Sequence, residues 1–178
     1  RNDGLELLAE IATDMLRNRV QLVVHVPSEG ANPLAETFDA LAQKWSDRVR
    51  LIRSKDPLVP HRVLAAGDLL VAPAPVGAGQ SPHLIGLRYG TLPIVPRSGA
   101  AADTVVDCDP KLTTGSGFVY DESTAADLLA TVQRATAGFA DPKAFDAVRR
   151  RAMRTDNSWE RAARQYESLY RELRPVAE

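Results

Sequence analysis

From residue 4 to about residue 120, short β-branched segments alternate with helix-patterned ones, and the gaps between successive strands are too long for hairpins. Val20–Val26 (VQLVVHV), Val49–Ile52, Leu69–Ala72 (LLVA), Leu92–Val95 and Phe118–Tyr120 read as strands. The first is almost continuously apolar, which suits a strand buried on both faces. Between them, Gly4–Asn18 places Leu5, Leu8, Ile11, Ala12, Met15 and Leu16 at helical spacing, and Asn32–Trp45 and Pro57–Ala66 follow the same period. Ser81–Tyr89 is a helix with Ser81 as N-cap and Pro82 at the first helical position. Thr124–Ala137, Pro142–Met153 and Ser158–Leu173 close the chain as helices. Strand and helix in alternation predict an α/β fold: a doubly wound parallel sheet, helices on both faces, and a helical carboxyl-terminal tail. With 178 residues, no internal repeat and no low-complexity linker, the chain reads as a single domain over 1–178.

The charge balance narrows the partners. Lys and Arg number 22 and Asp and Glu 23, which leaves no basic surplus for nucleic acid or an anionic membrane surface. A single cysteine, Cys108, excludes an internal disulfide and any multi-cysteine metal site. Neither a metal nor a cofactor is expected. The longest apolar run, around Val63–Ala74, is broken by Asp68 and Pro73, and no signal peptide is legible, so the expected location is cytoplasmic. The first residue is Arg1 rather than Met, so the chain is expected to be a piece of a longer one.

In parallel sheets, ligands sit beyond the carboxyl ends of the strands, here the loops after Val26, Ile52, Ala72 and Val95. Ala72–Ser81 (APAPVGAGQS) places Gly77 and Gly79 before a helix start, where free N–H groups can hold a diphosphate. It matches neither dinucleotide nor Walker spacing, and a connecting turn is the plainer reading. Pro96–Gly99 (PRSG) is the second candidate, with Ser98 and Gly99 as an anion cradle and Arg97 as its charge; a capped helix start explains it equally simply. Of the histidines, His25 belongs to a strand core and His61 lies beside Arg62, while His83 has the best placement for a ligand. Unpaired N–H groups are expected there from Ser81, His83 and Leu84. Cys108, between Asp107 and Asp109, has a raised thiol pKa and is not a nucleophile. Trp159, Ala163, Tyr166 and Tyr170 form a helical stripe, which is either core or a face for a domain outside this chain.

Leu87–Val105 (LRYGTLPIVPRSGAAADTV), Gly117–Glu122 (GFVYDE) and Arg151–Leu173 resemble the carboxyl-terminal domain of bacterial glycogen synthases and plant starch synthases. The likeness extends to Gly4–Leu8 and His61–Asp68 (HRVLAAGD) and so covers nearly the whole chain. It implies the Rossmann-like carboxyl-terminal half of a two-domain GT-B glycosyltransferase. In that family this half binds ADP-glucose or UDP-glucose for retaining transfer to the non-reducing end of an α-1,4-glucan. The implied partners are therefore a nucleotide sugar, an α-glucan and an amino-terminal companion domain, without which no activity is expected.

The departures from the family pattern fall on the donor site. Aligned on Arg88–Pro93, Gly77 stands where the family has the glutamate placed against the donor glucose. Ala78, Gly79, Gln80, Ser81, Pro82 and His83 replace the following P-C-G-L-T-Q, so the phosphate-approaching glycine is Gln80. Asp3 takes the place of a phosphate-binding lysine, Lys55 that of a tyrosine near the nucleotide, and Ser98-Gly99-Ala100-Ala101 that of T-G-G-L. Reversing a charge beside a diphosphate is worth on the order of 1–4 kcal/mol per pair. Stabilising that leaving group is usually the largest catalytic contribution. The expected donor-binding set is thus Lys55, Gly77, Ala78, Gly79, Gln80, Ser81, His83, Arg97, Ser98 and Gly99, with no catalytic residue. The expected function is a catalytically degenerate donor half; the alternative is a scaffold, regulatory or glucan-binding module.

Overall fold

The computed structural model describes residues 4–18, 20–26, 33–73 and 81–173. In chain order its elements are α1 (Leu5–Arg17), β1 (Leu22–Val26), α2 (Pro33–Lys44), β2 (Val49–Arg53), α3 (Leu58–Ala66), β3 (Leu69–Val71), α4 (Pro82–Tyr89), β4 (Leu92–Pro96), α5 (Gly99–Thr104), β5 (Phe118–Tyr120), α6 (Ala125–Ala137), α7 (Pro142–Met153) and α8 (Trp159–Leu173). A single 3-10 turn at Gly138–Ala140 joins α6 to α7. Thr124 caps α6 by accepting the Asp127 N–H, and Asp141 caps α7 by accepting those of Lys143 and Ala144, as short polar side chains do at helix starts.

Every described strand pair is parallel. Hydrogen bonding groups the strands as β1–β2 and β3–β4–β5, rather than in the one continuous ladder that the alternation predicts. One core nonetheless spans both groups: Val24, Val26 and Val49 pack in the same cluster as Leu87, Leu92, Ile94, Phe118 and Leu128. β4 is buried along its whole length, because α6 and α4 both pack on it and belong to different helix groups. α1 touches both α2 and α6, and α4 touches both α3 and α7. That is the double winding expected of the pattern. Each fully buried Leu or Ile here contributes about 1.5–3 kcal/mol.

β1 corrects the expectation of burial on both faces. Its burial alternates, and Val23 is 47% exposed. β1 therefore behaves as a strand packed on one face, with apolar residues on both because β-branched side chains favour extended backbone wherever they point.

The R-Y-G-T-L-P run is a helix stop feeding a buried strand. Gly90 adopts a left-handed φ of 80° after α4, and its N–H and that of Thr91 close back on Leu87 O and Gly86 O. Thr91, itself buried, donates its hydroxyl to Leu64 O and lies 3.2 Å from Gly67 O, which ties down the end of α3. Further along, Arg134 of α6 bonds Asp107 Oδ1 at 2.9 Å, Cys108 O at 3.0 Å and Val119 O at 3.1 Å. This fastens the long loop between α5 and β5 to the sheet.

α8 carries the aromatic stripe outward. Trp159 is 86% exposed, with Tyr166, Tyr170, Leu169 and Leu173 exposed as well, and none of its residues is buried. Of the two readings, core is excluded for the described residues: the stripe faces away from them.

Candidate functional site

Parallel pairing brings the carboxyl ends of β3, β4 and β5 to one edge. Val71 pairs with Ile94 and Pro96 with Tyr120 in register, and the Ala72 N–H donates to Ile94 O at 3.0 Å. The chain leaves this edge through Pro73, Arg97–Ser98 and Asp121, and α4 and α5 begin beside it. Tyr120, 1% exposed, donates its hydroxyl to Pro73 O at 2.8 Å and so fixes the point where the chain leaves β3. Burial, then the nearby Asp127 carboxylate, pushes that phenol up to about 12, so it stays a donor.

Ser98 occupies the N-cap position of α5, yet its hydroxyl caps nothing. Its Oγ is buried and has no partner among the described residues. Such an atom costs free energy until a ligand, water or side chain completes it. Gly99 follows with φ 58°. Ser81 likewise sits at the N-cap position of α4 without a side-chain cap bond. Its carbonyl instead takes the Leu84 N–H at 3.0 Å and the Ile85 N–H at 3.4 Å. Leu84 is therefore not among the free N–H groups at this helix start, because a tight first turn consumes its donor.

His83 is fully buried, and its Nε2 lies 2.9 Å from Thr104 Oγ1. Its Nδ1 has no partner among the described residues. Burial pushes the imidazole pKa below its ordinary value, which leaves it neutral. The cause is its place on the buried side of the first turn of α4, within hydrogen-bond reach of the last residue of α5.

Arg97 is also committed elsewhere. It is exposed and paired with Asp121, and that carboxylate raises its pKa. The pair follows from register, since each residue sits one step past the matched Pro96 and Tyr120. Lys55 lies in the turn after β2, exposed, and no described bond joins it to Ser81, His83, Ser98 or Gly99. Nearby, Arg53 is engaged by Asp39 of α2. Gly77, Ala78, Gly79 and Gln80, like Asp3, lie outside the described residues.

Cys108 is buried and its thiol is pushed up to about 11, chiefly by burial, with Asp107 a smaller contribution. It is inert, though burial outweighs the acidic neighbours that the sequence points to. No group of three or more His, Cys, Asp or Glu side chains among the described residues could hold a metal. Sequence reasoning misses Tyr120, Thr104 and Asp121. Only Asp121 leaves a usable signal, in the parallel register of β4 and β5.

No protein-family model matches the chain. Curated relatives do: it is 36% identical over 176 residues to a glycogen synthase of Haemophilus influenzae, covering 96% of this chain and 36% of the relative. A glycogen synthase of Yersinia pseudotuberculosis is 40% identical over the same length, with 96% and 36% covered. Among solved structures, the catalytic domain of starch synthase IV from Arabidopsis thaliana, bound to ADP and acarbose, superposes with a TM-score of 0.78 at 26% identity, covering 96% of this chain and 36% of that one. The fold is that of a glycogen and starch synthase-like glycosyltransferase domain. It corresponds to the carboxyl-terminal half of a GT-B enzyme and spans about a third of the length of the curated relatives it matches. A sucrose-phosphate synthase from Thermosynechococcus elongatus, 22% identical with a TM-score of 0.63 over 97% of this chain and 43% of that one, shares the fold alone. In this glycogen synthase-like domain the family's R-Y-G-T turn persists as architecture, while Arg53 and Arg97 at the strand ends are engaged by Asp39 and Asp121. No helix among the described residues is long and apolar enough to cross a membrane.

Proposed function

We propose that this domain is the donor side of a glucosyltransferase, holding the diphosphate of ADP-glucose or UDP-glucose at the carboxyl ends of β3 and β4, with transfer chemistry weakened relative to its relatives. The observation that carries the donor-side reading is the Ser98 Oγ at the start of α5, buried and without a partner among the described residues, on the edge where parallel sheets take ligands. The starch synthase domain that it resembles was captured with ADP and acarbose, which supports a nucleotide sugar and an α-glucan as ligand classes.

The weakening rests on two substitutions and two ion pairs. Gly77 and Asp3 stand at the family's glutamate and lysine positions. Arg53 and Arg97, the arginines beside the strand ends, are bound to carboxylates. A diphosphate leaving group therefore meets less free positive charge than the chemistry favours. The remainder of the transfer site belongs to an amino-terminal companion domain. The exposed stripe of α8 is the face that docks on it, a role that buries Trp159 and Tyr166.

A second reading, a non-catalytic scaffold or glucan-binding module, is favoured by the same engaged arginines. The test restores the family residues: Gly77→Glu and Asp3→Lys, alone and together, in the full-length protein, with glucosyl transfer from both nucleotide sugars as readout. The donor-side reading expects the double variant to gain at least tenfold over the parent. A parent already as active as its relatives contradicts the weakening, and no transfer from either protein supports the scaffold.

A further inference from the structure

The first turn of α4 has no side-chain cap of its own, and Pro82 supplies no N–H. Among the described residues, the one side-chain hydrogen bond at that turn is His83 Nε2 to Thr104 Oγ1, at 2.9 Å, reaching the last residue of α5. Thr104 in turn donates its hydroxyl to Ala100 O at 2.6 Å, one turn back toward the start of the same helix. A threonine hydroxyl has one proton, and here Ala100 O takes it. Its oxygen must then accept from an Nε2–H, which leaves Nδ1 proton-free. The reverse tautomer would bury an N–H at Nδ1 with no acceptor among the described residues, the costlier of the two orphans.

The relay thus runs from His83 through Thr104 to Ala100, two residues beyond Ser98. It joins the first turn of α4 to the last residue of α5. We propose that His83 is a positioning residue for this site: locked as the Nε2–H tautomer, it holds the first turn of α4 against the end of α5 and so sets where that turn stands beside a bound diphosphate. The ligand half of this statement rests on the donor-side reading above; the link between the helices does not.

The experiment separates the two. Nitrogen NMR of the imidazole is expected to show a protonated Nε2 and a bare Nδ1. Amide exchange is then followed in His83→Ala, His83→Gln, the isosteric Thr104→Val, and Ile11→Ala. Ile11 lies on α1, which packs on α2 and α6, so that variant reports general destabilisation. The Val105 N–H, bonded to Ala101 O at 2.9 Å, reads the order of α5. After correction for global stability, it is expected to exchange at least about tenfold faster in His83→Ala and Thr104→Val than in Ile11→Ala. His83→Gln, which keeps an N–H donor, is expected to return it to near the parent value. If His83→Ala fails to fold, Thr104→Val decides. An Nδ1–H tautomer, or Val105 exchange no faster than in Ile11→Ala, overturns the link. Titration with ADP reads the other half: about tenfold weaker binding in His83→Ala and Thr104→Val, recovered in His83→Gln, supports positioning, and unchanged affinity overturns it. A parent chain that binds no ADP sinks the donor-side reading and with it the positioning role, while the link is still judged by exchange.

Discussion

Replacing Tyr120 by phenylalanine removes one oxygen from a side chain that is 1% exposed and leaves the ring where it is. The hydroxyl donates to Pro73 O at 2.8 Å, and Pro73 is itself buried. The net value of such a bond is about 0.5–1.5 kcal/mol, and a buried carbonyl left without its donor costs about 1–3 kcal/mol. No methyl or ring is lost, so no cavity large enough to add a packing penalty opens. The expected loss is therefore about 1–3 kcal/mol. In a domain of this length each kcal/mol lowers the melting temperature by roughly 2–4 °C. Urea unfolding followed by circular dichroism reads the free energy directly, with an unchanged m-value showing that the same surface is exposed. Stability within about 0.3 kcal/mol of the parent would refute the reasoning, since it would mean that the hydroxyl holds nothing at the end of β3.

Three further outcomes follow from named contacts. His83 is buried and its pKa is lowered, so the unfolded chain takes up a proton that the folded one refuses. Its contribution is intact above the ordinary value of 6.5 and is lost as pH falls below it toward the depressed folded pKa; stability against pH should show that decline, and His83→Gln should flatten it. Gly117→Ala places a Cβ 2.7 Å from the backbone Pro93 O and 2.7 Å from the side-chain Val105 Cγ1, and should cost about 1–3 kcal/mol or more in the same unfolding assay. Asp121→Asn releases Arg97 at the edge of the site and should strengthen pyrophosphate binding a few-fold at low salt, with the gain fading as ionic strength rises.

Most of the architecture was legible because hydrophobic period and punctuation agree in this chain. Phe118–Tyr120 and Pro142–Met153 were readable to the residue. The single-faced packing of β1 was not readable, since VVHV looks alike whether or not a second layer covers it. At the candidate site, sequence pointed to the strand ends but not to the contacts that His83 and Arg97 make there. Nothing local shows that His83 turns inward, because that depends on Thr104, which is 21 residues away. Arg97 read as free charge because its partner Asp121 lies one step past the neighbouring strand, 24 residues on. Both contacts were hidden for one reason: each polar side chain bonds to a neighbour that the fold brings beside it and that is distant in sequence.

The most direct test of a donor site at this edge is calorimetric titration of the chain with ADP, UDP, ADP-glucose and UDP-glucose, repeated with Ser98→Ala. The account predicts sub-millimolar binding of at least one of the four and a clear loss of affinity when the Ser98 hydroxyl is removed. Flat titrations with all four, or binding that ignores Ser98, would contradict it.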